Sequence, residues 1–330
     1  MARKEPLIKE EKPFFWIPLR GKPMTQKFLD HDRFTGWNGR LELEIEVISQ
    51  YLYLGSGNFI IFNLRDREHA CYAFTRRNGQ LIIPGTSIKG AVRSVVEAIS
   101  NSCIGQSASK ERVTSSHERD KCCPDVDHLC TACRLFGTPE YSGRACFSDA
   151  VPAGRIELMQ IKVADLWPPH QSRERKFYQS KSFQQQDMQP QKSHRFLEVV
   201  PKGARFITTL SFENATSAEM GILSRAIGFD RSSQDPTKVV CAFPIKMGGA
   251  KSRCLGSVHF HPKKLCLLPQ EPREHPKNYF SALLAGGVQS PVADILKTWL
   301  EDESLLDQWT WERFREEAKL KAESCPREVY

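Results

Sequence analysis

No stretch of this chain approaches the roughly 18 consecutive apolar residues that a membrane-spanning helix needs. The opening Met1-Ala-Arg-Lys-Glu-Pro-Leu-Ile-Lys-Glu-Glu-Lys12 is rich in charge and lacks the apolar core of a signal peptide. These absences predict a soluble, cytoplasmic protein with no membrane partner. Catalytic signatures are scarce as well, with no G-x-S-x-G and no H-E-x-x-H. Lys246-Met-Gly-Gly-Ala-Lys-Ser-Arg-Cys-Leu-Gly256 is not a P-loop: Ala250 and Ile245 stand where that motif needs glycine. Gly55-Ser-Gly57-Asn-Phe-Ile60 lacks the third glycine of a dinucleotide fingerprint. No internal repeat is evident. Eleven cysteines, an odd number in 330 residues, argue against a disulfide framework and for metal binding or buried thiols.

What is present is a moderate positive charge, +8 formally, which favours a polyanionic partner. The most organised stretch is Leu81-Ile-Ile-Pro-Gly-Thr-Ser-Ile-Lys-Gly-Ala-Val-Arg-Ser-Val-Val96. An apolar run turns at Pro84-Gly85 and enters a helix for which Thr86 or Ser87 is the expected N-cap. Ile88, Ala91, Val92, Val95, Val96 and Ile99 then recur at helical spacing. Lys89 and Arg93 lie on the opposite face, so first-turn amides, helix dipole and two cations converge on one spot suited to phosphate.

Residues 1–38 read as an N-terminal arm in which Phe14-Phe-Trp-Ile17 docks on the body. Leu41, Leu43, Ile45 and Val47 alternate with Glu42, Glu44 and Glu46, the pattern of a half-exposed strand. Gly55-Ser-Gly57 reads as a turn, Phe59–Phe62 and Ala70–Phe74 as strands, and Asn78-Gly79 as a hairpin turn. Arg144–Ala150, Ala204–Phe212, Val239–Ile245 and Gly256–Phe260 are further strands, and Thr216 or Ser217 opens a second helix. Residues 262–276 read as a proline-rich linker, and the tail from Ser290 as one or two amphipathic helices. Strand, helix, strand, repeated with loops inserted, predicts an α+β, ferredoxin-like domain over residues 39–262. Insertions are expected at about 102–143 and 155–202, and a linker and helical segment at 263–330.

Cys130 and Cys133 form a CxxC, whose short spacing lets two thiolates share one ion. Cys122 or Cys123 offers a third ligand, and His117, His128 or Cys103 a fourth. The expected set is His117, Cys123, Cys130 and Cys133, a closed structural zinc site. The glycine-rich loop brings Lys246, Lys251 and Arg253 to a flexible backbone able to follow a sugar-phosphate chain. Residues 171–196 carry six Lys/Arg against two acids. Phe177, Tyr178, Phe183 and Phe196 are interleaved among them, as suits nucleic acid. Asp66, His69 and Asp149 are the carboxylates and imidazole nearest these segments.

Four segments, in this order, resemble the RAMP superfamily, the ferredoxin-like RNA-binding subunits of CRISPR effector complexes. They are Ile83-Pro-Gly-Thr-Ser-Ile-Lys-Gly-Ala-Val-Arg93; Cys133-Arg-Leu-Phe-Gly137 with Arg144-Ala-Cys-Phe-Ser-Asp-Ala150; Phe212-Glu-Asn-Ala-Thr-Ser-Ala-Glu-Met-Gly221; and Lys246–Val258. The likeness spans roughly residues 39–262 and is strongest to the backbone subunits of type III antiviral effectors. It implies guide RNA, complementary target RNA and other effector subunits as partners. Thr86, Ser87, Lys89 and Arg93 would hold guide phosphates. Lys246, Lys251 and Arg253 would contact the backbone from the glycine loop, and residues 171–196 would wedge into the guide–target duplex. In target-cleaving relatives an Asp precedes the opening motif and promotes metal-dependent cleavage, with Mg2+ or Mn2+. Here that place falls near His69, with Asp66 three residues earlier. The resemblance thus implies either a binding subunit or an endoribonuclease. The enzyme would cut target through Asp66, or process guide precursor with His69 as acid/base.

Overall fold

The computed structural model describes residues 12–28, 31, 35–64, 67–104, 117–165, 174–269 and 276–326. Its centre is strand β3 (Trp37–Val47), whose Leu41, Leu43, Ile45 and Val47 are fully buried. The alternation read from the sequence is realised because β3 has an antiparallel neighbour on each side. Those neighbours are β16 (Arg205–Ala215), with Ile45 opposite Phe206, and β20 (Ser257–Leu267), with Ile45 opposite Phe260. Outer strands β10 (Ala145–Phe147) and β19 (Ile245–Lys246) extend this sheet, with β11 (Val151–Pro152) on β16 and β21 (Val288–Ser290) on β20. On the wet face Glu44 meets Lys263 at 3.0 Å and Arg205 at 3.4 Å, while Glu46 meets His261 at 2.8 Å. These cross-strand pairs keep three consecutive glutamates of one face from simply repelling.

The apolar face shares one core with helices α1 (Gly85–Ile99), α4 (Ser217–Ala226), α6 (Val292–Glu301) and α7 (Gln308–Ala318). Helix α1 buries Ile88, Val92, Val95, Val96 and Ile99, the stripe expected from its spacing. Helix α4 is opened by a capping box: Thr216 Oγ1 accepts from the Glu219 amide at 3.1 Å and Glu219 Oε2 from the Thr216 amide at 2.9 Å. Phe15 and Ile17 of the arm and Leu296, Trp299, Trp311 and Phe314 of the tail belong to the same core as the body. Helix α5 (Pro276–Leu284) precedes β21. No helix among the described residues is long and apolar enough to cross a membrane.

A second sheet runs β12 (Met159–Ala164), β15 (His194–Pro201), β6 (Arg67–Phe74), β5 (Gly55–Leu64), with β4 (Tyr51–Leu52) also on β15. The turn expected at Gly55-Ser-Gly57 is instead the start of β5, and a register shift between Gly55 and Phe59 absorbs the glycines as a bulge. The Asn78-Gly79 turn does join a short hairpin, β7 (Arg76–Arg77) with β8 (Gln80–Leu81). The strand expected over Val239–Ile245 is divided: β18 (Val239–Cys241) pairs with β17 (Phe229–Arg231), and β19 begins only at Ile245. The linker expected from residue 262 begins later, because β20 continues to Leu267.

Within residues 174–196 two short strands pair with the chain's ends, while most of 185–193 is exposed. Strand β13 (Arg175–Tyr178) pairs with β1 (Phe14–Ile17) of the arm, and β14 (Ser180–Ser182) runs parallel to β22 (Leu320–Ser324) of the tail. Phe177 packs on Phe15 and Phe314, Phe183 on Tyr51, and Phe196 on Phe62. Phe177 is engaged by the chain's own ends, and Phe183 and Phe196 by rings of the body. Cys254 and Cys325 form a disulfide, Cα atoms 6.0 Å apart, where the odd cysteine count pointed to thiols and metal.

Candidate functional site

The four buried sulfurs of Cys103, Cys123, Cys130 and Cys133 lie within 4.8 Å of one another. Cys103 follows α1. Cys123 ends the short helix α2 (Arg119–Cys122). Cys130 closes β9 (Leu129–Cys130), and Cys133 lies in α3 (Thr131–Phe136). Strand β2 (Thr25–Gln26) of the arm pairs with β9, setting Thr25 opposite Cys130. The Ser102 hydroxyl accepts from the Ala132 amide at 3.1 Å and so fixes Cys103 against α3. Cys103 Sγ stands 3.5 Å from Cys133 Sγ, 3.6 Å from Cys130 Sγ and 4.0 Å from Cys123 Sγ. A tetrahedral zinc with Zn–S of about 2.3 Å sets its sulfurs about 3.8 Å apart, so the four fit such an ion. Hydrogen bonds from Cys103 first, then Cys122, push the Cys123 and Cys130 thiols down.

His117 is not in this group. Its Nε2 lies 3.1 Å from Asn101 Oδ1, and burial, then Arg175, lowers it to about 4, so the ring stays neutral. The fourth cysteine, Cys103, takes the place expected for it. His128, the other imidazole in reach on sequence, pairs with Asp125 at 2.8 Å on the surface.

Three arginines near the cluster are paired with carboxylates, and the buried Arg175 donates to the Ser102 carbonyl. Arg93 donates through Nε to Glu97 Oε1 at 2.9 Å, through Nη1 to the Gly137 carbonyl at 3.1 Å, and reaches Cys133 Sγ at 3.7 Å. It therefore ties α1 to the cysteine loop, and the helix-face phosphate role expected for it gives way to that tie. Glu219, fully buried, lies between Arg144 at 3.1 Å and Arg134 of α3 at 3.2 Å, joining α3 to α4.

The N-terminus of α1 begins one residue before the expected caps, with Pro84 as the N-cap and no side-chain cap. The Gly85 amide instead donates to Asp149 Oδ1 at 2.9 Å, and Asp149 also pairs with Arg77. A Cβ at Gly85 would lie 2.1 Å from the Phe147 carbonyl oxygen, so only glycine admits this contact with β10. The carboxylate that answers the helix dipole thus comes from 64 residues away. Thr86 is left exposed, with Ser87 and Lys89 half-buried beside it.

In the glycine loop, Gly248 (φ +81°) lets the backbone seat against Tyr53, whose carbonyl accepts from the Gly249 amide at 2.8 Å; a Cβ at Gly248 would meet that oxygen at 2.1 Å. Lys246 and Lys251 are half-buried, and Lys246 donates to Ser257 Oγ at 3.1 Å. Arg253 is buried. Its guanidinium donates to the carbonyls of Ala164 at 3.1 Å, Asp165 at 2.9 Å and Pro326 at 3.3 Å. It fastens β12 and the tail to the loop, and the backbone-contact role expected for it does not follow.

Asp66 lies outside the described residues. His69 sits half-buried on β6, its ring 5.9 Å from Phe62 and 5.7 Å from Phe196, with no hydrogen-bond partner among the described residues. The opposite face of this hairpin is more telling. Phe59 is 63 % exposed, Ile61 56 % and Tyr72 41 %, and the Arg195 guanidinium lies 5.5 Å over the Tyr72 ring. Four consecutive apolar residues, Phe59-Ile-Ile-Phe62, were the available signal: successive side chains of a strand point to opposite faces, so both faces of this edge strand are apolar.

A family model, the RAMP superfamily, matches residues 44–258. No curated protein matches the chain in sequence.

Proposed function

Because this chain belongs to the RAMP superfamily, we propose that it is a guide-RNA-binding backbone subunit of a type III CRISPR antiviral ribonucleoprotein. Membership carries a CRISPR-associated, RNA-binding role, and the match over 44–258 is the observation on which the proposal rests. The ferredoxin-like reading is supported by the antiparallel order β16, β3, β20 with α1 and α4 on its apolar face. Thr86, Ser87 and Lys89 at the outer end of α1 would meet the guide backbone. The β5–β6 hairpin, with Phe59, Ile61 and Tyr72 outward and Arg195 beside them, takes over the wedging role first expected of 171–196. Exposed aromatic rings on a strand pair beside an arginine suit stacking against bases. Cys103, Cys123, Cys130 and Cys133 would hold one structural zinc that fixes the loop between α1 and β10. Other effector subunits and a complementary target RNA are the further partners, in the cytoplasm.

Between binding and cutting, the geometry favours binding. Among the described residues His69 packs on phenylalanine rings and makes no hydrogen bond to an acid or donor, which weighs against guide processing through that imidazole. Target cleavage with Mg2+ or Mn2+ would rest on Asp66.

The test is to express the chain with its neighbouring effector subunits and guide locus, purify it, and assay bound RNA and cutting of labelled target. A discrete guide-length RNA with target left intact, or cut equally by wild type and Asp66→Ala, matches a binding subunit. Cutting lost in Asp66→Ala assigns the cleavage to this chain. Absence of bound RNA contradicts the proposal.

A further inference from the structure

A small cavity of about 90 Å³ lies between α1, β13, the glycine loop and α7. Lys246 and Lys251 line it, and none of its lining residues is acidic. A third lysine, Lys176 of β13, and Ser94 of α1 also line it; most of the remaining wall is apolar or aromatic, with Phe15 from β1, Phe177 and Tyr178 from β13 and Phe314 from α7. Two of these walls, β1 and α7, lie outside the family match at 44–258. The arm and the tail of this chain have therefore closed over the glycine-loop lysines.

Two ammonium groups side by side in an apolar enclosure are poorly solvated and repel each other. Lys246 has one neutral partner, the Ser257 hydroxyl, itself donating to Ser180 Oγ at 2.9 Å. Burial first, then Lys251, brings Lys246 down to about 7, and burial lowers Lys251 as well. Across the cavity Lys176 adds no negative charge, its ammonium held 4.1 Å from the Phe14 ring centroid. Tyr178 is kept protonated by burial. Among the described residues, the buried Arg144 and Arg225 meet carboxylates and the buried Lys162 and Arg253 meet carbonyls. Here the counter-charge has to arrive from outside.

We propose that this cavity is a binding site for a terminal phosphate monoester. Small-molecule sites generally occupy about 300–1,000 Å³, so this one admits a phosphate group and excludes a nucleoside. A dianionic monoester matches two ammonium charges, and lysine is a ready phosphate partner as a point charge. A continuous strand has a single charge per phosphate and would need an open groove, which Phe15 and Phe314 deny it. The inference stands apart from guide binding along α1 and the β5–β6 hairpin.

The experiment is isothermal titration of the full chain, freed of nucleic acid, with inorganic phosphate, adenosine, and a short RNA bearing either a 5′-phosphate or a 5′-hydroxyl. Phosphate should bind at one site per chain and adenosine should not. Lys246→Met and Lys251→Met should each weaken phosphate binding tenfold or more, while Lys238→Ala, at an exposed lysine away from the cavity, leaves it unchanged. Tighter binding of 5′-phosphorylated than 5′-hydroxyl RNA, with phosphate competing, identifies a nucleic-acid end as the source. Equal binding of the two RNAs identifies free phosphate. In wild-type protein, phosphate should also slow reductive methylation of Lys246 and Lys251 several-fold, a readout independent of variant folding. No phosphate binding at millimolar concentration, or no protection of either lysine, overturns the proposal, and does so even where guide RNA is still bound.

Discussion

The cysteine loop and the glycine-loop cavity both bury charge, and they treat it in opposite ways. Around the cysteines three arginines meet fixed carboxylates: Arg134 and Arg144 share Glu219, and Arg93 holds Glu97, while the buried Arg175 is bound to the Ser102 carbonyl. In the cavity Lys246 and Lys251 face a lining with no acid. Buried charge that is paired internally is architecture, because removing one partner strands the other in a poor solvent. Buried charge left unpaired costs stability until a ligand supplies the opposite sign. Substitutions should therefore act in opposite directions in the two regions.

The largest effect is expected at the four-cysteine cluster, proposed to hold zinc. Cys103→Ser should abolish stoichiometric zinc and unfold the loop from α1 to β10, whereas His117→Ala should retain the metal; elemental analysis of the two purified proteins decides between four cysteines and three with a histidine. Next comes Glu219→Ala, which leaves two arginines facing each other in the core. Its expected cost is about 3–5 kcal/mol, read from the denaturant midpoint.

The opposite sign is expected at Lys246→Met, which should raise the melting temperature of the ligand-free protein by a few degrees while removing phosphate binding. The pH dependence follows from the same group. Lys246 titrates near 7 when folded and near about 10.4 when unfolded. Between those values the unfolded chain holds a proton that the folded chain has released, so stability rises with pH from about 7 to about 10. Lys251, beside it, is shifted the same way by burial, and Tyr178 stays neutral through the lower part of that window. Melts across this range should show a shallower rise in Lys246→Met; an unchanged slope would place the cavity with the paired regions and erase the contrast. The smallest effect is at Lys89→Ala, which should weaken RNA uniformly across sequences and reduce the salt slope by about 1.

Local patterns carried much of this fold. Leu41 to Val47 declared a half-exposed strand, Ile88 to Ile99 a one-sided helix, and Thr216 or Ser217 a helix start, because each depends on neighbours in sequence. Long-range choices were not legible. Cys103 stood open as a fourth ligand beside His117 and His128, and the choice between them rests on long-range packing such as the docking of Ser102 on α3. Arg93 and Arg253 have the sequence context of phosphate binders, yet carbonyls and a glutamate reach them first. Phe177 looked like a base-stacking residue until β1, more than 150 residues upstream, paired with its strand. The α1 cap comes from Asp149, a residue that a scan for local caps passes over.

The most direct test of the central claim is ultraviolet crosslinking of the ribonucleoprotein purified from cells expressing the native effector subunits, with crosslinked peptides identified by mass spectrometry. The account predicts RNA adducts on the β5–β6 hairpin at Phe59 or Tyr72 and on the first turn of α1. Adducts confined to other surfaces, or none at all, would contradict it.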